Sequence, residues 1–230
     1  MTTILMPGPP QIAVRVKRSA RAKRLSLRVS SLDGRVTLTA PPRISHRKIE
    51  RFVFEKEAWL RQNINQVPDP ITVEIGARIP VLGQAVQLIK CADSRIWQHG
   101  NDLYVPEHKS NIGTRVLGHL KTLARDQLTK RSDFYAAELG QNYSKLSVRD
   151  TRSRWGSCSQ DRALMFSWRL IMAPQEVLDY VVAHEVAHLE HMNHSERFWA
   201  VVEQLYGDYQ PARLWLRDKG AELHRYRFAD

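Results

Sequence analysis

Apolar residues recur at every second position early in the chain. Ile12, Val14 and Val16 alternate with Arg15 and Lys17, Leu25, Leu27 and Val29 repeat the rhythm, and Val36 and Leu38 resume it after Asp33-Gly34. Period two is the signature of strands with one buried face, and Asp-Gly between two such runs marks a hairpin. The spacing predicts a small antiparallel sheet whose charged residues face water, ended by Pro41-Pro42. From Ser45, an N-cap candidate, the period changes: Ile49, Phe52, Val53, Lys56, Trp59, Leu60 and Ile64 follow helical spacing until "VPDP" breaks it. Short strands return in "ITVEIG", "IPVLGQAVQLIK" and "DLYVP". The reading is a β-rich unit with one helix over residues 1–108.

A different texture begins near Ser110 and Asn111, either able to cap a helix through Val116, Leu120, Leu123, Ala124 and Leu128 towards Gly140. A strand pair is expected around "KLSVRDTRSRWGSCS" and "ALMFSWRLI", turning at "QDR". Pro174 suits the first turn of the next helix, and another helix should run from about Asn193 to Tyr206. Residues 109–230 are read as a second domain, helical with a small antiparallel sheet. The whole is of the α+β class.

Composition narrows the setting. No apolar run reaches the ~18 residues of a membrane span, and the N-terminus lacks the basic start and apolar stretch of a secretory signal. Cys91 and Cys158 are far apart, which argues against a disulfide framework, so a cytoplasmic location is expected. The net charge of +11 is lopsided: residues 1–65 hold 14 Lys+Arg against 4 Asp+Glu, and the rest is nearly balanced. A basic N-terminal unit suits a nucleotide or nucleic acid, or it is a solvated face that maintains solubility.

The chemistry concentrates in "HEVAHLEHMNH", residues 184–194. His184 and His188, four apart, project from one face of a helix and can share a zinc ion at about 2.0–2.1 Å. Glu185 stands beside that ion, where it can take a proton from water. His191 would lie too far along a straight helix to complete a tetrahedral site. A chain turning back at Asn193, with Glu196 as its capping-box partner, brings in His194 as the third ligand. Glu203 is the rival third ligand, and metal-free core histidines are the bland alternative. Arg152, Arg154, Tyr206 and Tyr209 are candidates for stabilising an oxyanion. Gly156 either admits a substrate backbone, beside a strand that could pair with an extended peptide, or relieves a bend. Trp155 reads as a core anchor and Cys158 as a small buried residue.

"TRSRWGSCS", an apolar strand and "VLDYVVAHEVAHLEHMNHSERFW" together resemble the YgjP-like metallopeptidase domain, a relative of the SprT and WLM zinc-protease families. The specific part spans about residues 145–200, and the N-terminal strands and "IERFVFEKEAWL" fit more loosely. The resemblance implies a zincin-like core, three histidine ligands matching His184, His188 and His194, a catalytic Glu185, Zn²⁺ as cofactor and a peptide or protein substrate. Two further expectations stand beside it. One is metal-dependent hydrolysis of nucleoside triphosphates, suited to the basic unit and the nearby arginines. The other is a protease recruited to nucleic acid by that unit.

Overall fold

The computed structural model describes residues 2–106 and 111–228, which fall into two compact units, Met1–Asp69 and Pro70–Asp230. In the first, strands β1 (Thr2–Met6), β2 (Ile12–Arg18), β3 (Ser26–Val29) and β4 (Val36–Ala40) form one sheet in the order β1-β2-β4-β3. The expected alternation is present: Ile12, Val14 and Val16 are buried while Arg15 and Lys17 are exposed. β3 and β4 form the hairpin anticipated at Asp33-Gly34, with Gly34 at φ +66, a left-handed conformation that glycine adopts at little cost. The sheet is mixed instead of purely antiparallel, because β2 pairs parallel with β4 and β1, not foreseen, pairs antiparallel with β2.

Two short helices supply the other layer, α1 (His46–Glu55) and α2 (Glu57–Asn65), where one was expected. Ser45 caps α1, its Oγ accepting from the Lys48 N–H at 3.4 Å, worth about 1 kcal/mol. Lys56, at φ −102 and ψ 11, interrupts the helix. Ile49, Val53 and Leu60 are buried against Met6, Val14 and Leu38 in a core of the unit's own.

The second unit opens with β5 (Ile71–Thr72), followed by β6 (Arg78–Val81), β7 (Gln84–Cys91), β8 (Trp97–His99) and β9 (Asp102–Pro106). The last four make a sheet in the order β6-β7-β9-β8. The long helix α3 (Ile112–Glu138) buries Val116, Leu120, Ala124 and Leu128 as its spacing required. Asn111 precedes it in a left-handed conformation and makes no side-chain cap, while Ser110 lies outside the described residues. Then come β10 (Lys145–Arg149), β11 (Gly156–Cys158) and β12 (Ala163–Ser167), in the order β10-β12-β11. Here too the sheet is mixed: β11 and β12 form the antiparallel hairpin, but β10 runs parallel to β12.

A 3₁₀ turn, Trp168–Met172, leads to α4 (Gln175–Ala187), with Pro174 just before its first residue. Next are α5 (Glu196–Tyr206), α6 (Gln210–Lys219), a 3₁₀ turn over Gly220–His224, and β13 (Tyr226–Arg227), which pairs parallel with β5. The units divide at 69/70 and not at the expected 108/109. The reason is packing: Val73, Ile79, Leu88 and Val105 share one continuous apolar core with α3, α4 and β12. An alternating strand pattern reports that one face is buried, not which later helix buries it.

Candidate metal centre

α4 is apolar on several sides, with Val177, Leu178, Val181, Val182, Val186 and Ala187 all buried, so its orientation is held by packing on most of its circumference. Its last turn carries His184 and Glu185, and His188 sits at the C-cap, still helical at φ −66. The chain leaves the helix there: the N–H groups of Glu190 and His191 both return to the Ala187 carbonyl. His191 is therefore off the helix. Its carbonyl oxygen accepts from His188 Nδ1 at 2.9 Å. A carbonyl only accepts, so Nδ1 holds the proton and Nε2 keeps its lone pair.

The turn brings His194 back. Its Nε2 lies 3.1 Å from His184 Nε2, and the ligand atoms of His184, His188 and His194 all fall within 4.8 Å of one another. His194 precedes α5 instead of opening it. Ser195 is the N-cap, without a side-chain cap bond, so Asn193 and Glu196 do not form the expected capping box. Two nitrogens on one tetrahedral zinc at about 2.0–2.1 Å would stand roughly 3.3–3.4 Å apart, close to the His184–His194 separation. The donor set, three imidazoles crowded together, fits zinc. Glu203 on α5 is exposed and outside this cluster.

Glu185 is not one of the clustered ligand residues and is only 6% exposed. Burial pushes its carboxyl up to about 8, partly offset by a hydrogen bond from the Cys158 backbone and by the charge of Arg154. His184 is driven down to about 3, first by burial and then by the charges of His188, His194 and Arg213. Burial also lowers His188, against its hydrogen bond to the His191 carbonyl. Gly156 lies against Glu185, so close that a Cβ there would stand 2.5 Å from Oε1. The glycine makes room for the carboxyl, a third role beside the two weighed above.

The other expected residues scatter. Arg154 lies near enough for its charge to act on Glu185, whereas Arg152 lines a separate cavity with Asp150, Arg169, His224 and Arg227. A two-residue step in an irregular segment suffices to send neighbouring arginines to different places. The Tyr206 hydroxyl donates to the Glu176 carbonyl at 2.9 Å, at the far end of α4 from the histidines. Tyr209 stacks on Trp199 and Tyr180. Trp155 is partly buried and packs on the core, and Cys158 is half-buried, its thiol pushed up to about 11 by burial and by Glu185.

Several neighbours went unread in the sequence. The fully buried Phe198 ring lies 4.9 Å from His184, 4.4 Å from His188 and 4.8 Å from His194, wedging all three imidazoles. Tyr180 and Trp199 flank His184 at 5.9 and 5.7 Å, and the Arg213 guanidinium lies 5.1 Å over Trp199. The i−4 spacing of Tyr180 from His184 was a legible signal. Nothing local marks Arg213.

Two histidines one helical turn apart, a third from the following loop and a buried glutamate beside them make a site of the kind metallopeptidases use. A family model described as the YgjP-like metallopeptidase domain matches residues 23–219, and the chain belongs to that family. Two solved structures are similar to part of it. The metallopeptidase zymogen of Pyrococcus abyssi abylysin is 18% identical, with a TM-score of 0.36, over 40% of this chain and 95% of that one. The metallopeptidase zymogen of Methanocaldococcus jannaschii jannalysin is 17% identical, with a TM-score of 0.34, over 39% and 91%. Among curated proteins none matches. No helix among the described residues is long and apolar enough to cross a membrane.

Proposed function

We propose that the chain is a zinc-dependent peptidase in which His184, His188 and His194 hold the ion and Glu185 moves the proton. One observation carries this reading: three imidazole donors within 4.8 Å of one another beside a carboxyl that is not among them. Bound zinc supplies a Lewis acid that polarises the scissile carbonyl and acidifies water. The protein supplies the rest. The His191 carbonyl holds the His188 ring in the tautomer that leaves Nε2 free, and Phe198 restrains the three rings. Glu185 takes a proton from water and delivers it to the leaving amine. The burial that raises its pKa suits delivery of the proton, and the charge of bound zinc would favour the carboxylate form that accepts it. β11 is an edge strand next to Glu185 and offers an extended peptide a backbone to pair with. The zincin-like architecture is part of the same proposal.

Arg154 and Arg213 favour a second reading, since both put positive charge on the site. Guanidiniums there suit an anionic substrate such as a nucleoside triphosphate. Glu185→Gln should keep zinc and lose hydrolysis, and His194→Ala should lose zinc. Peptide turnover by Glu185→Gln at the wild-type rate would refute the assigned base. Release of phosphate or pyrophosphate from nucleotides, with no cleavage of any peptide, would favour the second reading.

A further inference from the structure

The basic surplus of residues 1–65 resolves onto one face of the first sheet. Residues paired across strands share a face, so the register sorts side chains into rows. Ile4, Val14, Val36 and Val29 form one row and Val16, Leu38 and Leu27 another, packed with Ile49, Val53 and Leu60 of α1 and α2. The alternate rows look the other way: Thr3, Arg15, Thr37 and Arg28, then Lys17, Thr39 and Ser26. Arg15, Lys17 and Arg28 are exposed, with Thr37 and Thr39 half-buried between them.

Each of the four carboxylates in residues 1–65 already has a partner elsewhere. Asp33 pairs with Arg35 at 3.2 Å, Glu50 with His46 at 3.4 Å, Glu55 with Arg51 at 3.4 Å and Glu57 with Arg61 at 2.8 Å. Three of them belong to α1 and α2 and the fourth to the β3–β4 turn, so none lies on the open face. Arg18 is also engaged, donating to the Pro41, Pro42 and Ile44 carbonyls. Arg15, Lys17 and Arg28 make no hydrogen bond or ion pair among the described residues. The connection from β2 to β3 adds exposed Arg21, Lys23 and Arg24 at the end of the sheet where the Ser19 N–H donates to the Ala40 carbonyl.

We propose that this face binds the phosphodiester backbone of a nucleic-acid duplex, with Arg15, Lys17 and Arg28 meeting phosphates and the Thr37 and Thr39 hydroxyls donating between them. Strands lie about 4.8 Å apart, so Arg15 and Arg28, two strands apart, set their charges on stems about 10 Å from one another. Cations spread over an open surface suit a polymer of phosphates, whereas one small anion needs donors that converge. Single strands are held by stacking on aromatic rings, and the exposed Phe54 and Trp59 belong to α1 and α2 in the other layer. A membrane surface calls for apolar side chains that enter it, and this face offers only the paired Leu5 and Ala13 towards β1. Contacts to phosphate carry no base information, so binding is independent of sequence. None of these residues belongs to the histidine cluster, and the inference does not depend on the peptidase reading.

The test is fluorescence anisotropy of the zinc-loaded full chain with labelled DNA and RNA duplexes of about 20 base pairs and the matching single strand, from about 50 to about 200 mM salt. Three neutralised phosphates give a slope of about −2.7 in log K against log salt, so duplex affinity should fall about 40-fold across that range. Arg15→Gln, Lys17→Gln and Arg28→Gln together should flatten the slope by about 2.7 and weaken binding at least tenfold, with melting temperature and zinc content unchanged. Removing the same charge from the helical layer, by Arg47→Gln, Lys48→Gln and Lys56→Gln, should leave the slope unchanged. Salt-dependent binding of either duplex supports the proposal, and the tighter of the two names the source. Absence of duplex binding, or a slope indifferent to the face variant, overturns it. So does an equal loss in both triple variants, which would make net charge and not this face the cause. Tighter binding of the single strand overturns the assignment to a duplex, and equal affinity for phosphatidylserine vesicles or for polyglutamate overturns the assignment to nucleic acid.

Discussion

Gly156→Ala puts the geometry around Glu185 under the most direct strain. An added Cβ would stand 2.5 Å from Oε1, 2.6 Å from Cγ and 2.8 Å from Cδ of Glu185, where ordinary contact begins at 3.4 Å. Either the carboxyl or the strand must withdraw by about 0.9 Å, the difference between 3.4 and 2.5 Å. The carboxyl is 6% exposed and tied to the Cys158 backbone, so it cannot swing into solvent. β11 is three residues long and lies at the sheet edge, so part of the shift falls on it. Overpacking of this kind costs about 1–3 kcal/mol in stability. A displacement of about 1 Å in a reacting group costs on the order of 10²-fold in rate, equivalent to about 2.7 kcal/mol. The variant should therefore bind zinc at wild-type stoichiometry, melt at lower temperature and cleave peptide about 10²-fold more slowly at saturating substrate. Gly118→Ala is the control: it lies in α3 with nothing within 4 Å of the added methyl, and should gain about 0.5–1 kcal/mol. A wild-type kcat in Gly156→Ala would show that the position of Glu185 does not limit the reaction.

Phe198→Ala removes the wedge shared by the three imidazoles; it should cost about 3–5 kcal/mol and weaken zinc binding, seen as a lower chelator concentration needed to strip the metal. Unchanged zinc retention would mean that the rings are positioned by their own helices and loop. The metal-free protein should be most stable near pH 6.5. Glu185 titrates near 4.5 unfolded and about 8 folded, so its contribution is complete below 4.5 and lost as pH rises to 8. His184 and His224, at about 3 and about 4 when folded against 6.5 unfolded, contribute above 6.5 and lose that contribution as pH falls through 4 and 3. Between 4.5 and 6.5 the two histidines outweigh the one carboxyl, and above 6.5 the carboxyl alone acts. Melting temperatures in chelator at pH 4, 6.5 and 8.5 check this, and a steady rise from 6.5 to 8.5 would contradict it.

Local periodicity carried much of this protein into view. Alternation in β2 and β4, the Asp33-Gly34 turn, the Ser45 cap and the 3.6-residue stripe of α3 are dictated by backbone geometry within a few residues, so they could be read off the chain. The same holds for His184 and His188, whose shared face follows from their spacing in any helix. Strand partners were a different matter. The parallel pairings β2–β4 and β10–β12, and the merging of residues 71–106 with the second core, depend on which apolar faces meet after long connections. The approach of His194 to His184 required a turn whose angle no propensity specifies, and the inference from ligand geometry supplied it where secondary-structure signals misjudged the helix start.

Arg152 and Arg154 mark the boundary most clearly. As residue types two positions apart they were equivalent, yet one faces Asp150, Arg169, His224 and Arg227 while the other acts on Glu185. Phe198, Arg213 and the cavity that Arg152 lines share that property, being assembled from segments up to 77 positions apart between Asp150 and Arg227. Short-range sterics write themselves into residue order; the meeting of distant side chains is written only by the packing that encloses them.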